Sequence, residues 1–346
     1  MEKRVARATI HDVAKAAGLS VSSVNRALHE PEKVRPETLQ NILQAAESVR
    51  FYGIGSIRQG LDKAKPKIRI GILLLQPHRA FYKSLATVLE AAARTVRDHE
   101  VLLQIEFLEE LSPQNVSAGL DRLAERADVI GLVAPEHPVV SATIERLTEN
   151  GKKIFALVSQ LSARCAIGYI GLDAWKVGRT AGWAFDNLCK REGKIGILVG
   201  NHRFRCQETN ESGFRSYFRE HASNFALLEP QSTFENANIA REVTEDILAK
   251  HADLIGLFIS GGGISGATAA LRDSGRGNDI VAVGYDLIDV TRTALLDGTL
   301  NFLISHPMTR LGEAAIAAMI QAFDGGAEFP PASISLPFDV HTSENL

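Results

Sequence analysis

The 346-residue sequence predicts an α/β protein with an N-terminal three-helix module followed by a core of two doubly wound parallel-sheet lobes. Three observations predict it. Residues 9–49 read as three capped amphipathic helices. From residue 68 onward, short apolar runs alternate with amphipathic stretches, the βαβ pattern of parallel sheets covered on both faces. About 280 residues follow that point, too many for one small sheet and suited to two. The expected organisation is a headpiece over 1–52, a hinge or linker over 53–67, and a core over 68–346. Lobe one is placed at about 68–165 and 303–328, and lobe two at about 166–300 and 330–346.

The first helix starts at Thr9, an N-cap residue, with Asp12 three places on to meet unpaired N–H groups. Ile10, Val13, Ala14 and Ala17 form one apolar stripe, and Gly18 supplies the left-handed residue that ends the helix. Ser20 caps a second helix in which Val24 and Leu28 face inward and Val21, Ser22, Asn25 and Arg26 face outward. Pro36 opens a third helix whose apolar face is Leu39, Ile42, Leu43, Ala46 and Val49. This is the order of a helix-turn-helix, whose second helix lies in the major groove. There Arg forks onto guanine and Asn onto adenine, which makes Arg26 and Asn25 the polar readers. Residues 1–67 hold 12 Lys+Arg against 7 Asp+Glu, a net +5, leaving −8 over the rest. A basic module on an acidic body suits a phosphate-rich partner.

The run T-I-x-D-V-A-x-x-A-G-L-S-x-x-S-V-x-R-A-L over residues 9–28 resembles the headpiece of LacI/GalR-type bacterial transcriptional regulators. The resemblance implies that Val21 and Ser22 are variable specificity residues opening the recognition helix, and that Arg26 contacts DNA. The expected DNA-binding set is Thr9, Ser20, Val21, Ser22, Ser23, Asn25, Arg26, Arg58 and Leu61.

After the headpiece the resemblance weakens. The family's hinge, Y-x-P-N-x-x-A-R-x-L, folds on the operator and wedges a leucine into the minor groove. Here Tyr52 and Arg58 remain, but Gly53, Ile54 and Gly60 replace proline, asparagine and leucine, and Leu61 sits one step late. Each glycine costs a helix about 1 kcal/mol relative to alanine, so the hinge helix is expected to be weaker or shifted in register. Leu61 is the expected wedge, with Ile57 as rival, and a flexible linker is the alternative.

In the core, Ile68–Leu75, Val101–Phe107, Val129–Ala134, Ile154–Val158, Ile195–Val199, Leu254–Ile259 and Ile280–Val283 read as strands. Ala80–His99, Gln114–Ala127, Ala174–Arg191, Gln207–His221 and Ile239–His251 read as helices. Ligands of such sheets sit outside the carboxyl ends of the strands, so two facing lobes place a cleft there. The resemblance implies the periplasmic-binding-protein fold with three crossings between lobes, expected near residues 160–170, 287–303 and 326–334. The expected ligand residues are Gln76, His78, Phe81, Tyr82, Glu136, Gln160, Trp175, Arg205, Asn210, Gly261, Gly262 and Asp286. Asp286 matches the family's ligand-binding aspartate. Asn210 stands where the family usually has arginine, and glycines 261–263 stand where it usually has asparagine-aspartate.

The segment Ser260-Gly-Gly-Gly-Ile-Ser-Gly266 supports the alternative reading, a cytosolic enzyme or phosphate-ligand domain fused to a DNA-binding head. It lacks the Lys-Ser/Thr ending of a P-loop. Cys165, Cys189 and Cys206 are scattered, which points to a reducing compartment and to neither zinc nor disulfides. There is no secretory signal and no apolar run near 18 residues, so the expectation is cytoplasmic, without a membrane partner. The N-terminal MEKRVAR reads as a disordered basic arm. The function expected is a sequence-specific regulator of operator DNA, a repressor relieved by a small sugar-like effector between the lobes. It is expected to act as a homodimer, with a tetramer open, and without catalytic residues, cofactor or metal.

Overall fold

The computed structural model describes residues 7–221, 224–326 and 329–346, apart from the side chains at 32, 36, 60–64 and 278. Most of the arm expected at residues 1–7 lies outside them. The chain forms two compact units, one holding residues up to Ile68 with Val96–Leu102, the other Arg69–Thr95 with Leu103–Leu346.

The first unit is built on α1 (Ile10–Ala17), α2 (Val21–His29), α3 (Pro36–Ser48) and α4 (Ile54–Ala64). Thr9 and Asp12 form a full capping box, and Gly18 ends α1 at φ 68°, a left-handed conformation that glycine adopts without steric cost. The Asn41 side-chain amide donates to the Ala17 carbonyl at 3.1 Å, fixing α3 against the turn. Val13, Ala17, Val24, Ala27, Leu39, Ile42 and Phe51 share one buried core. The hinge segment is a continuous helix, α4, despite Gly55 and Gly60. Ile57 explains how: it is fully buried in the headpiece core, and burying such a side chain stabilises by about 1.5–3 kcal/mol, enough to offset two glycines. Ile57 therefore packs inward and is not the rival wedge.

The second unit continues through two sheets. The first sheet contains β1 (Lys67–Leu75), β2 (Glu100–Leu108), β3 (Val129–Leu132), β4 (Lys153–Val158) and β5 (Gly168–Leu172). Its helices are α5 (Ala80–Thr95), α6 (Pro113–Ala124) and α7 (Pro138–Glu149). Lobe two then runs α8 (Ala174–Leu188), β6 (Gly193–Val199), α9 (Arg205–His221), β7 (Phe225–Leu227), β8 (Gln231–Ser232) and α10 (Ala237–Lys250). It continues with β9 (Leu254–Ile259), α11 (Ile264–Asp273), β10 (Val281–Tyr285), α12 (Asp289–Leu296) and β11 (Phe302–Ser305). The chain ends with α13 (Met308–Asp324), β12 (Ser333–Leu336) and β13 (Asp339–His341).

The strand orders are β12-β5-β4-β3-β1-β2 and β13-β11-β10-β9-β6-β7, with β8 also on β6. The ladders that join β12, β5, β4, β3 and β1, and those that join β11, β10, β9, β6, β7 and β8, are parallel, whereas β13 runs antiparallel to β11. The pattern is the two doubly wound lobes that the alternation predicts. The crossings are displaced from their expected places. β5 pairs with β4, so lobe one runs to Leu172. β11 pairs with β10, so lobe two runs to Ser305. β12 returns to lobe one and β13 to lobe two. The lobes therefore exchange at residues 173, 306–307 and 337–338. The shift arises because β5 and β12 are short and interrupted by Gly171 or Ser335, so neither stands out as an apolar run.

Candidate functional site

In the first unit, the outer face of α2 carries Val21, Ser22, Asn25 and Arg26, all exposed, while Val24 and Ala27 are fully buried behind them. Ser20 and Ser23 fix the start of this helix. The Ser20 Oγ accepts from the Ser23 N–H at 3.1 Å, and the two hydroxyls lie 2.9 Å apart. Thr9 is committed to Asp12: its N–H and its hydroxyl each reach Asp12 Oδ2 at 2.8 Å. The Thr9 backbone bond first, then its hydroxyl, hold the Asp12 carboxyl below its ordinary 3.8. Arg58 is paired with Glu47 of α3 at 2.6 Å, an exposed pair that a phosphate can replace. The Leu61 side chain lies outside the described residues.

In the second unit the strand ends converge between the lobes, and their backbones are strained. Gln76 after β1, Val158 at the end of β4, Phe234 and Glu235 after β8, and Asp286 after β10 all have positive φ, from 41° to 67°. Such conformations are uncommon for non-glycine residues and an outlier for β-branched valine, and they collect at ligand sites. Cavities of about 620, 80 and 210 Å3 adjoin there and share Phe81 and Ile288 as walls.

Arg79, at the start of α5 in lobe one, makes an ion pair with Glu235 of lobe two across the cleft. The Glu235 side chain is 3% exposed and that of Arg79 23%. Gln207 Nε2 donates to the other Glu235 oxygen at 2.7 Å. Burial works against the Arg79 charge, but Glu235 and the neighbouring acidic groups more than offset it, so its pKa is raised. A Cβ on Gly262 would overlap both Glu235 and Arg79, and one on Gly261 would overlap Gln207. The two glycines are therefore the floor on which this pair rests. At Gly262, in the middle of the loop expected to face a phosphate, a carboxylate of the same chain already stands. Cys206, which also faces this space, is pushed up to about 12 by burial, which leaves it a poor nucleophile.

Asp286 Oδ1 receives the His306 backbone N–H at 3.1 Å and the His306 Nδ1 at 2.7 Å. The Phe81 and Tyr285 rings flank the His306 ring at 5.5 and 5.4 Å between centroids.

Of the expected ligand residues, Gln76, His78, Phe81, Tyr82, Gly261, Gly262 and Asp286 line these cavities. Glu136, Gln160, Trp175, Arg205 and Asn210 do not, and each is a correction. Glu136 accepts from the Ser162 N–H at 3.0 Å and Arg205 donates to the Ser162 hydroxyl at 2.6 Å, so both are held on one turn. Gln160 is exposed, and Trp175 is 42% exposed on α8. Asn210 is fully buried. Its amide, oriented by its surroundings, donates to the carbonyls of Ala174 and Cys206 at 2.8 and 3.1 Å and is thus spent joining α8 to α9. The sequence reasoning missed Arg79, Gln207, Glu235 and His306. Arg79 lies next to the expected His78 and two places before Phe81, whereas Glu235 carries no local signal. Among the described residues there is no group of three His, Cys, Asp or Glu able to hold a metal, and no helix long and apolar enough to cross a membrane.

Comparison with known proteins follows the same division. Residues 9–52 match the family described as bacterial regulatory proteins, lacI family, and residues 70–327 the one described as periplasmic binding protein domain. The ribose operon repressor of Bacillus subtilis (strain 168) is 24% identical over 324 residues, 90% of this chain and 91% of that protein. Two solved structures share the core fold. A glucose-galactose binding protein from Geobacillus stearothermophilus superposes with TM-score 0.74 at 17% identity, over 82% of this chain and 99% of that one. An ABC transporter solute binding protein from Agrobacterium vitis, bound with α-D-tagatopyranose, gives TM-score 0.73 at 19% identity, over 80% and 95%.

Proposed function

Since the chain belongs to the periplasmic-binding-protein-domain family and carries a lacI-family regulatory headpiece, we propose that it is a transcriptional repressor whose operator affinity is set by a small sugar between its lobes. One observation carries this reading: a single chain joins an exposed recognition face, Val21 to Arg26, to a buried polar cleft closing on Asp286. Val21 and Ser22 open the recognition helix and Asn25 and Arg26 reach base edges. Paired half-sites on the operator call for a two-fold dimer. The relatives that bind sugars or repress a ribose operon support the ligand class. The phosphate-binding enzyme reading is not favoured, because the Glu235 carboxylate stands against Gly262 and the Gln207 side chain against Gly261.

A ligand shifts such an equilibrium only through different affinities for the two lobe arrangements, and the coupling is reciprocal. The test is fluorescence anisotropy on a cognate palindrome with and without a sugar that raises the melting temperature of the protein. The expected result is weaker operator binding with sugar present. A sugar that binds and leaves operator affinity unchanged would refute the reading.

A further inference from the structure

The cavity of about 210 Å3 lies against the crossing from β11 to α13 and is walled by Phe81, Ser84, Asp286, Ser305, His306 and His341, among others. His306 and His341 are among its walls, and each ring has one buried nitrogen, Nε2 of His306 and Nδ1 of His341, without a hydrogen-bond partner among the described residues. The His306 side chain is 1% exposed.

The protonation of His306 follows from its neighbours. Asp286 Oδ1 lies 2.7 Å from His306 Nδ1 and also takes the His306 backbone N–H. A carboxylate oxygen only accepts, so in the neutral imidazole the proton sits on Nδ1 and Nε2 presents a lone pair. His341 Nε2 is engaged with the Ser305 hydroxyl at 2.9 Å. A buried acceptor without a donor is unfavourable, and a ligand donor would satisfy it. An anionic group would instead add acceptors beside the carboxylates of Asp286 and Asp339, which also line this space.

The chamber is too small for a whole drug-sized ligand, but it shares Phe81, Asp286 and Ile288 with the adjoining 80 Å3 cavity. A sugar lying past Asp286 thus reaches into it with one end.

We infer that this chamber is the specificity subsite of the effector site, where His306 Nε2, positioned by Asp286, accepts a hydroxyl of a neutral polyol and the chamber turns away carboxylate and phosphate groups. The inference rests on the effector reading above. It makes His306 a specificity-determining residue, since a hydrogen-bonding site rejects analogues lacking the matching hydroxyl more strongly than an apolar pocket does.

The test is isothermal titration of the full chain with D-ribose, D-allose and D-galactose, with D-ribonate and ribose 5-phosphate, and with monodeoxy derivatives of whichever neutral sugar binds. The expected result is that the anionic derivatives bind at least about tenfold more weakly than the neutral sugar, and that His306→Phe weakens the neutral sugar by about tenfold or more. One deoxy derivative should bind wild type weakly yet match its parent on His306→Phe, because the lost hydroxyl no longer has a receiver. His306→Asn, which keeps the backbone bond to Asp286 but is too short to reach, provides the same comparison if the phenylalanine variant does not fold. Undiminished binding by the variants overturns the subsite, as does an equal loss across all deoxy derivatives or tight binding of the anionic compounds. Silence of every neutral sugar on wild type overturns the effector reading itself, a separate failure.

Discussion

Removing the Glu235 carboxylate should loosen the join between the two lobes. In Glu235→Ala, Arg79 loses its counter-ion and Gln207 loses one acceptor, in surroundings where Glu235 itself is 3% exposed. Breaking a buried ion pair costs about 3–5 kcal/mol, because the remaining charge is stranded. Arg79 keeps 23% exposure and borders the 620 Å3 cavity, so it can recover part of its hydration, and we take about 3 kcal/mol. For a unit of this size that corresponds to a fall in Tm of roughly 6–12 °C. Tryptophan fluorescence reads the core selectively, since the only two tryptophans, Trp175 and Trp183, both lie on α8 of lobe two. The double variant Arg79→Met with Glu235→Leu should return to within about 1–2 kcal/mol of wild type, because an apolar pair carries no desolvation cost. The loss in Glu235→Ala should also persist between low and moderate salt, unlike that of an exposed pair such as Arg146 with Asp121. A Tm for Glu235→Ala within about 1 °C of wild type would show that the pair does not hold the lobes.

Three further outcomes can be checked independently. Arg26→Ala, exposed on α2, should lower selectivity for the cognate palindrome in gel shifts by about 1–3 kcal/mol, while circular dichroism stays that of wild type. Asp286→Asn tolerates the φ of 65° but replaces an acceptor with a donor. It should weaken sugar binding at least about tenfold, seen as a smaller sugar-induced thermal shift at the same sugar concentration, and spare ligand-free operator binding. The Asp128 carboxyl is held below its ordinary 3.8, first by the Arg69 side-chain hydrogen bonds. A depressed carboxyl contributes stability that is present above the unfolded pKa and lost as pH falls through the folded one. Asp128→Asn should therefore lower the urea midpoint relative to wild type at pH 6, and the difference should shrink progressively as the pH is taken below 3.8.

The headpiece was legible because its determinants are local. Thr9, Asp12, Gly18 and Ser20 declare helix ends within three or four residues of the groups they satisfy. The strands were legible where a long apolar run is buried throughout, as in Leu254–Ile259, but not in β5 and β11, which are buried throughout yet only five and four residues long. β12, with every second residue exposed serine, was not. The cleft was half legible. Phe81, in the first turn of the helix that follows β1, and Asp286, just after β10, lie beyond the carboxyl ends of strands, where the topology must put a ligand. The Arg79–Glu235 pair spans 156 positions in sequence, and no local pattern encodes a contact of that range. Asn210 shows the opposite error. A polar residue in the expected place was read as facing the ligand, but its amide is consumed by two helix carbonyls.

The nine residues from Ser333 to His341 give an edge strand first to one sheet and then to the other. On the ribosome, then, neither lobe can close its sheet until this stretch has emerged, however early the rest of lobe one was made. Until that moment β5 and β11 both present unpaired backbone edges, the surfaces on which nascent chains pair wrongly. A stop codon shortly before Ser333 would thus leave two unfinished domains rather than one, and the product should be found in inclusion bodies rather than as a shortened folded protein.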